Sequence, residues 1–228
     1  MGLLPVEAAL EQILDGVRPL PGETVALDDA LGRVLAQPVK ARRNQPPFDA
    51  SSMDGYAVIA ADLTATPVSL EVLGVSAAGH QFRQQLRSGE AVRIFTGAPL
   101  PKGADAVVIQ ENTSIQAKPY IVIEKPVAAG QNVRGAGLDF RRDDVLIESA
   151  SRLNARDIGL AAAANAALVR VRRRPVVAIL STGDELVLPG EKPRRDQIIS
   201  SNSHALAAMV RHFGGIALNL GIIPTSSR

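Results

Sequence analysis

Between residues 46 and 141 the chain is written in short β-branched runs, Val68 to Val75, Ala91 to Phe95, Ala106 to Gln110 and Tyr120 to Glu124, parted by Gly- and Pro-containing turns. Runs of this length bounded by turn residues predict strands, so the block reads as a small all-β unit. Its flanks read differently, which makes it an insertion whose chain leaves a surrounding domain and re-enters it. Upstream, Val6, Ala9, Leu10, Ile13, Leu14 and Val17 recur at a helical period behind Pro5, and Pro19 and Pro21-Gly22 end the run. Thr24 to Leu27 predicts a short strand. Asp28 is then placed to cap a helix carrying Ala30, Leu31, Val34 and Leu35, closed by Pro38.

Downstream, Asn154 to Leu168 predicts an Ala-rich helix, suited either to close packing or simply to helix formation. The basic run Arg170, Arg172, Arg173, Arg174 precedes Pro175 and the apolar run Val176 to Leu180, which predicts a strand buried on both faces. Ser181 to Gly190 reads as loop. Ser200, Ser201 or Asn202 can cap a helix through Phe213, Gly214-Gly215 stops it, and Ile216 to Ile223 predicts a second buried strand. That order opens a doubly wound parallel sheet, with one face and one edge still to be covered. The expected fold is thus multidomain α/β plus all-β. It has a helix over 1–22, a linker domain over 23–45 and 142–171, the inserted β domain over 46–141, and an incomplete α/β domain over 172–228.

Composition removes several kinds of chemistry. The chain has 228 residues and no Cys, which excludes disulfides, thiolate metal sites and a Cys nucleophile. His80, His204 and His212 are scattered away from metal-ligand spacing. Aromatic residues make up 3% and Trp is absent, so a base-stacking surface for nucleic acid is not expected. No apolar stretch reaches the length of a membrane span. Glu7, Glu11 and Asp15 give the first segment the wrong charge for a signal peptide, so a cytoplasmic location is the expectation.

What is left is a set of oxygen-bearing loops. Pro47-Phe48-Asp49-Ala50-Ser51-Ser52-Met53-Asp54-Gly55 places two carboxylates around a small hydroxyl-rich link, with Asp54-Gly55 read as a turn into the strand-like Tyr56 to Ile59. Thr96-Gly97-Ala98-Pro99 follows one strand, and Ser181-Thr182-Gly183-Asp184-Glu185 follows another, where open α/β sheets place ligands. Small residues there let amides approach an oxyanion, and carboxylates can hold a hard cation. Gly130 to Asp139 adds Arg134 and another carboxylate. Each loop alone is equally a cap, a hairpin or a solvated turn. Gly135 to Phe140 has Phe where a dinucleotide loop needs its third Gly. Gly97 to Gly103 is not a P-loop, and Ser181 lacks the glycines of a nucleophile elbow.

Taken together, Pro47 to Val58, Thr96-Gly97-Ala98-Pro99-Leu100-Pro101-Lys102-Gly103-Ala104-Asp105 and Ser181 to Leu186 resemble the molybdopterin molybdenumtransferase family, which includes the E-domain of gephyrin. The resemblance continues through Gln197 to Ser203. It implies Mg²⁺-dependent insertion of molybdate into adenylylated molybdopterin, with release of AMP. It implies catalytic roles for Asp54, Asp139 and Glu185. Substrate contacts would come from Asp49, Thr96, Gly97, Ser181, Thr182, Gly183 and Asp184, and Mg²⁺ ligation from Asp54, Asp184 and Glu185. Arg134, Arg141, Arg142 and Lys102 are candidates for anion contact or for plain surface solvation. An elongated homodimer, packing of the first helix with the third domain, and contact with the molybdopterin adenylyltransferase are also implied. Ala50 stands where the family often has Asn, and Leu138 where an acidic residue is frequent. Family members continue further, so this sequence reads as an N-terminal portion that is inactive alone. Two other readings stay open: a non-catalytic scaffold of the gephyrin type, and a relative of the adenylyltransferase.

Overall fold

A computed structural model describes residues 4–115 and 117–225. In chain order the elements are α1 (Val6–Leu14), β1 (Gly22–Ala26), β2 (Val39–Lys40), β3 (Ala50–Ser51), β4 (Gly55–Val58), β5 (Val68–Ser76), β6 (Glu90–Ile94), β7 (Ala106–Ile109), β8 (Thr113–Ile115), β9 (Tyr120–Ile123) and β10 (Val133–Arg134). There follow β11 (Val145–Ile147), α2 (Ala155–Ala163), β12 (Leu168–Arg172), β13 (Val176–Thr182), β14 (Leu186–Val187), β15 (Ile198–Ile199), α3 (Asn202–His212) and β16 (Ile216–Ile223). The fold is mixed α/β and mostly strand. It forms two compact units, one made of Lys40–Leu146 with Ala163–Asn165, the other of the chain on either side.

The first unit is organised by a six-stranded sheet in the order β7-β4-β6-β5-β9-β8. Every pair is antiparallel except β5 with β6. Strand side chains alternate between faces, and here both faces are apolar. Val58, Ala91 and Val108 join Leu63, Leu70, Ile121 and Ile123 in one buried cluster, while Ala57, Val92 and Val107 join Leu86, Ile94 and Ala98 in another. Two-sided burial explains why β7 is apolar at every position, Ala106-Val107-Val108-Ile109. Full burial of each Leu or Ile stabilises the unit by about 1.5–3 kcal/mol. The two ends of the unit run side by side: the Ala41 amide donates to Asp144 O (2.9 Å), Asp143 to Ala41 O (2.8 Å) and Gln45 to Phe140 O (2.9 Å). The Gln45–Pro46 bond is cis.

In the second unit β1 pairs antiparallel with β12, Val25 opposite Val169. The helix expected after Asp28 does not form. Leu27–Asp29 make one 3-10 turn, and the amides of Gly32, Leu35 and Ala36 donate to Leu153, Ser151 and Arg170 instead of four residues back. Pairing with a distant segment, which buries Leu35 completely, outweighs a local capping signal. α2 is shorter than expected. Asn154 Oδ1 accepts the Arg156 and Asp157 amides and Asp157 Oδ2 accepts the Asn154 amide, a capping box that starts the helix. It ends at Ala163, and Leu168 begins β12, where Val169 and Val171 point inward.

β13 and β16 pair in parallel with α3 as the crossover, Val176 opposite Ile216 and Thr182 opposite Ile223. The strands are less covered than their sequence predicts. Ile179 is buried, but Val176, Leu180, Leu218 and Leu220 are about half exposed or more. Ser181 and Thr182 belong to β13 itself, not to the loop after it. α3 follows Ser201, which makes no side-chain capping bond, and gives way at Phe213 as expected. Among the described residues no helix is long and apolar enough to cross a membrane.

Candidate functional site

The first unit brings three loops together around β3. On one side Ser51 N donates to Ala98 O (3.0 Å), Gly97 N to Ser51 O (2.8 Å) and Leu100 N to Asp49 O (2.8 Å). On the other side β3 pairs with β10, Ser51 opposite Val133. The segments 49–54, 96–100 and 133–139, scattered in sequence, therefore share one edge. They enclose a cleft of about 310 Å³ whose lining includes Pro46, Phe48, Ser51, Thr96, Gly97, Arg134 and Asp139.

Asp54 is held by one oxygen. Its Oδ1 accepts both the Thr96 amide and the Thr96 hydroxyl, each at 2.8 Å, while Oδ2 has no partner among the described residues. The Thr96 amide, then the Thr96 hydroxyl, holds this carboxyl below the usual aspartate range; slight desolvation opposes them and the charge of Arg93 adds to them. Asp54 is thus ionised with one oxygen free to meet a cation or a donor. The following Gly55 lies within β4 and is not a turn residue. β7 passes so close that a Cβ at position 55 would collide with the Val108 carbonyl, and only glycine fits.

Asp49 and Asp139 have different partners. Asp49 Oδ1 accepts the Ala136 amide (2.8 Å), tying the 133–139 loop to the 49–54 loop. Asp139 Oδ1 accepts from Arg134 Nη2 at 3.2 Å, with both side chains about half exposed. Both residues line the cleft, so the pair sets a guanidinium at its wall. Lys102, Arg141 and Arg142 do not line this cleft.

Sequence reasoning missed Arg93 and Gln110. Arg93 stands opposite Tyr56 on β6. Its guanidinium lies 5.0 Å from the Tyr56 ring and 5.1 Å from the Phe95 ring, within cation–π range. Nη1 donates to Gly55 O (3.3 Å) and Nη2 to Gln110 Oε1 (2.7 Å), and the Gln110 amide donates to Asp54 O (3.1 Å). Arg93 therefore holds Gly55 O directly and orients Gln110, whose own amide holds Asp54 O. The available signal was a lone arginine among the apolar residues Ala91, Val92, Ile94 and Phe95, just before Thr96-Gly97.

The second unit holds the remaining candidates. Ser181 and Thr182 line a cleft of about 300 Å³ with Ser200, Ser201, Asn202 and Ser203, a hydroxyl-rich wall. Gly183 turns the chain with φ +149°, and a Cβ there would strike the Glu185 carboxylate. Asp184 accepts the Thr225 amide (3.0 Å) and hydroxyl (3.3 Å). Asp184 and Glu185 lie beside that cleft in sequence but are not among its lining residues.

Among the described residues no three acids or histidines gather as a ready metal site. Among the described residues of each unit, an all-protein cage for Mg²⁺ is therefore not preformed. Mg²⁺ commonly takes one or two carboxylates and completes its shell with water and substrate phosphate, and the free Oδ2 of Asp54 suits that mode.

Residues 4–165 match the family model described as the MoeA N-terminal region (domain I and II). The chain belongs to the MoeA family. It is 41% identical over 205 residues to the molybdopterin molybdenumtransferase of Nostoc sp., covering 88% of this chain and 47% of that protein. It is 34% identical over 224 residues to the enzyme of the same name from Haemophilus influenzae, covering 97% of this chain and 55% of that protein. A crystal structure of the molybdopterin biosynthesis MoeA protein from Pyrococcus horikoshii superposes with a TM-score of 0.89 at 34% identity, over all of this chain and 59% of that one. The chain thus spans about half the length of the curated relatives it matches. The cleft bounded by Thr96, Arg134 and Asp139 lies wholly inside the stretch matched as the MoeA N-terminal region, as does Asp54, which adjoins it through Thr96 without lining it.

Proposed function

We propose that this chain supplies the N-terminal part of a molybdopterin molybdenumtransferase, with several of its site carboxylates. The whole enzyme would insert molybdate into adenylylated molybdopterin and release AMP. The observation that carries the reading is the Asp54–Thr96 pair: an ionised carboxylate fixed through one oxygen, with the other open beside a guanidinium-bearing cleft. Asp54 would be the metal-facing ligand of the first unit, and Asp184 and Glu185 remain metal-ligand candidates of the second on the family reading alone. Mg²⁺, when bound, would neutralise phosphate oxygens and act as a Lewis acid.

The chain's own residues do the positioning. Thr96 and Gly97 hold the Asp54 loop in register, Asp49 ties in the Ala136 amide, and Asp139 aims Arg134 at an anionic group of the substrate. Ser181 and Thr182 offer hydroxyls to the pterin-bearing ligand, and Gly183, its amide donating to Ile223 O (3.2 Å), turns the chain beside them. No protein nucleophile is needed: water or a molybdate oxygen would attack the phosphoanhydride phosphorus and expel AMP, and the two dithiolene thiols would take molybdenum as their protons leave with one molybdate oxygen as water. The division into a first helix, linker domain, inserted β domain and the start of a doubly wound domain belongs to the same reading. So do a homodimeric, cytoplasmic enzyme and its contact with the adenylyltransferase.

A chimera tests this directly. These residues replace the matching half of the Nostoc enzyme, and AMP release and molybdenum incorporation are titrated with Mg²⁺. Asp54→Asn should lower turnover by roughly 10- to 100-fold, with partial rescue at high Mg²⁺. An unchanged magnesium dependence in a folded variant would refute the role of Asp54.

A further inference from the structure

We propose that a second cleft, at the C-terminal end of α3, binds a nucleoside di- or triphosphate. It measures about 330 Å³, within the range of small-ligand sites, and lies wholly inside the second unit. Arg152, Arg172, Arg173, Arg174, Arg211 and His212 line it, with no carboxylate among the lining residues. The full chain carries a formal net charge of only +2, so this concentration of cations does not follow from composition. Arg33, also in the lining, is already paired with Glu23.

The remaining guanidinium groups fall into two sets. Arg152 donates from Nε to Gly32 O (3.2 Å) and Arg172 from Nη1 to Leu20 O (3.1 Å), which orients both against the backbone while leaving other N–H groups unused. Arg173, Arg174 and Arg211 have no side-chain partner among the described residues. Asp28 and Asp29 line a neighbouring hollow with Arg33 and Arg174 but form no ion pair with Arg174 within 4.0 Å. The carbonyl end of α3 carries partial negative charge that offsets part of Arg211 and His212. Even so, several guanidinium groups remain uncompensated in one small space. Each presents a planar fork matched to two phosphate oxygens, which a single backbone carbonyl cannot satisfy. A multiply charged phosphate would relieve their mutual repulsion.

The rim adds the second half of the ligand. Phe213 lines the same cleft and is 73% exposed, in a chain with five Phe, two Tyr and no Trp. Its ring meets His212 edge-to-face at 5.1 Å, which fixes the plane and leaves a face for an aromatic base. Arginines for phosphate beside an open aromatic face distinguish a nucleotide from a simple anion.

The test is titration of the ¹⁵N-labelled chain with ADP, pyrophosphate and adenosine separately, at about 0.15 M salt so that loose surface attraction is screened. ADP should bind saturably with submillimolar Kd, shifting the amides of 172–174 and 211–214. Pyrophosphate should bind several-fold more weakly and adenosine not measurably. Phe213→Ala, which removes an exposed ring and leaves the core intact, should weaken ADP about tenfold. Arg173→Gln/Arg174→Gln/Arg211→Gln should abolish binding while the rest of the spectrum is kept. No saturation by about 5 mM ADP, pyrophosphate binding as tightly as ADP, or affinity unchanged by Phe213→Ala would each overturn the assignment. Tighter binding of a single-stranded oligonucleotide than of ADP would also overturn it, in favour of a nucleic-acid surface.

Discussion

Replacing Arg93 by Met tests whether the Asp54 loop is braced from below. Met fills much of the same volume and keeps apolar contact with Tyr56 and Phe95, but it removes the charge and both hydrogen bonds. Two cation–π contacts at 5.0 and 5.1 Å contribute about 0.5–1 kcal/mol each where partly solvated. The 2.7 Å bond to Gln110 adds about 1 kcal/mol net, and the 3.3 Å bond to Gly55 O less. Retained ring contact returns some of this, leaving a loss of about 1.5–3 kcal/mol. For a unit of this size that lowers the melting midpoint by very roughly 5–12 °C.

The chain offers a convenient reporter. It has two tyrosines and no Trp, and Tyr56 and Tyr120 both lie in the unit that contains Arg93. Tyrosine fluorescence therefore follows that unit alone. Arg93→Lys should recover part of the loss, because it keeps a cation over the rings but not the fork that reaches two acceptors. In the ¹⁵N spectrum of Arg93→Met the Thr96 amide should shift more than amides elsewhere on the sheet, since its acceptor, Asp54, loses its brace. A variant that melts within about 1 °C of the parent, with Thr96 unmoved, would refute the bracing argument.

Asp54→Asn should also show a pH signature. A carboxyl held below its ordinary value of 3.8 stabilises the fold above that value and loses the contribution as pH falls through the folded value. The difference in melting temperature between parent and variant should be constant near neutrality and close in strong acid; a gap that persists there would count against the Thr96 pairing. Gly55→Ala should destabilise the same unit by about 1–3 kcal/mol or more through the collision with the Val108 carbonyl, read again by tyrosine fluorescence, and an unchanged midpoint would contradict the geometry. Amides of β13 and β16 should exchange faster than those of β4, β6 and β7, because their apolar residues are about half exposed while the sheet of the first unit is buried on both faces. Equal protection would contradict this.

What could be read in advance separates cleanly by the range of the controlling interaction. The strands at 68, 91, 106 and 120 were legible because β-branched residues and turn residues alternate within a few positions. β12 was not: Ala161 to Ala167 is such a favourable helix sequence that it masks the period-two pattern of Val169 and Val171, which is set by β1 far away in the chain. The capping signal at Asp28 failed for the same reason, since the bonds that win go to residues 151, 153 and 170. At the site, the carboxylates and Thr96-Gly97 stood out as chemistry, but their partners did not. Asp49 is answered by the Ala136 amide, Asp54 by the Thr96 amide and Asp184 by the Thr225 amide. Any residue except proline can supply an amide, so side-chain identity at positions 136, 96 and 225 carries little trace of the bond. Arg93 was hidden differently. A lone arginine in a strand normally marks a solvent face, and only the register that sets it opposite Tyr56 turns it inward toward the Asp54–Gly55 backbone. Asp49 and Asp54 are thus held mainly by backbone geometry, so substitutions that bend β3 or the 133–139 loop should disturb them as much as changes to the carboxylates themselves.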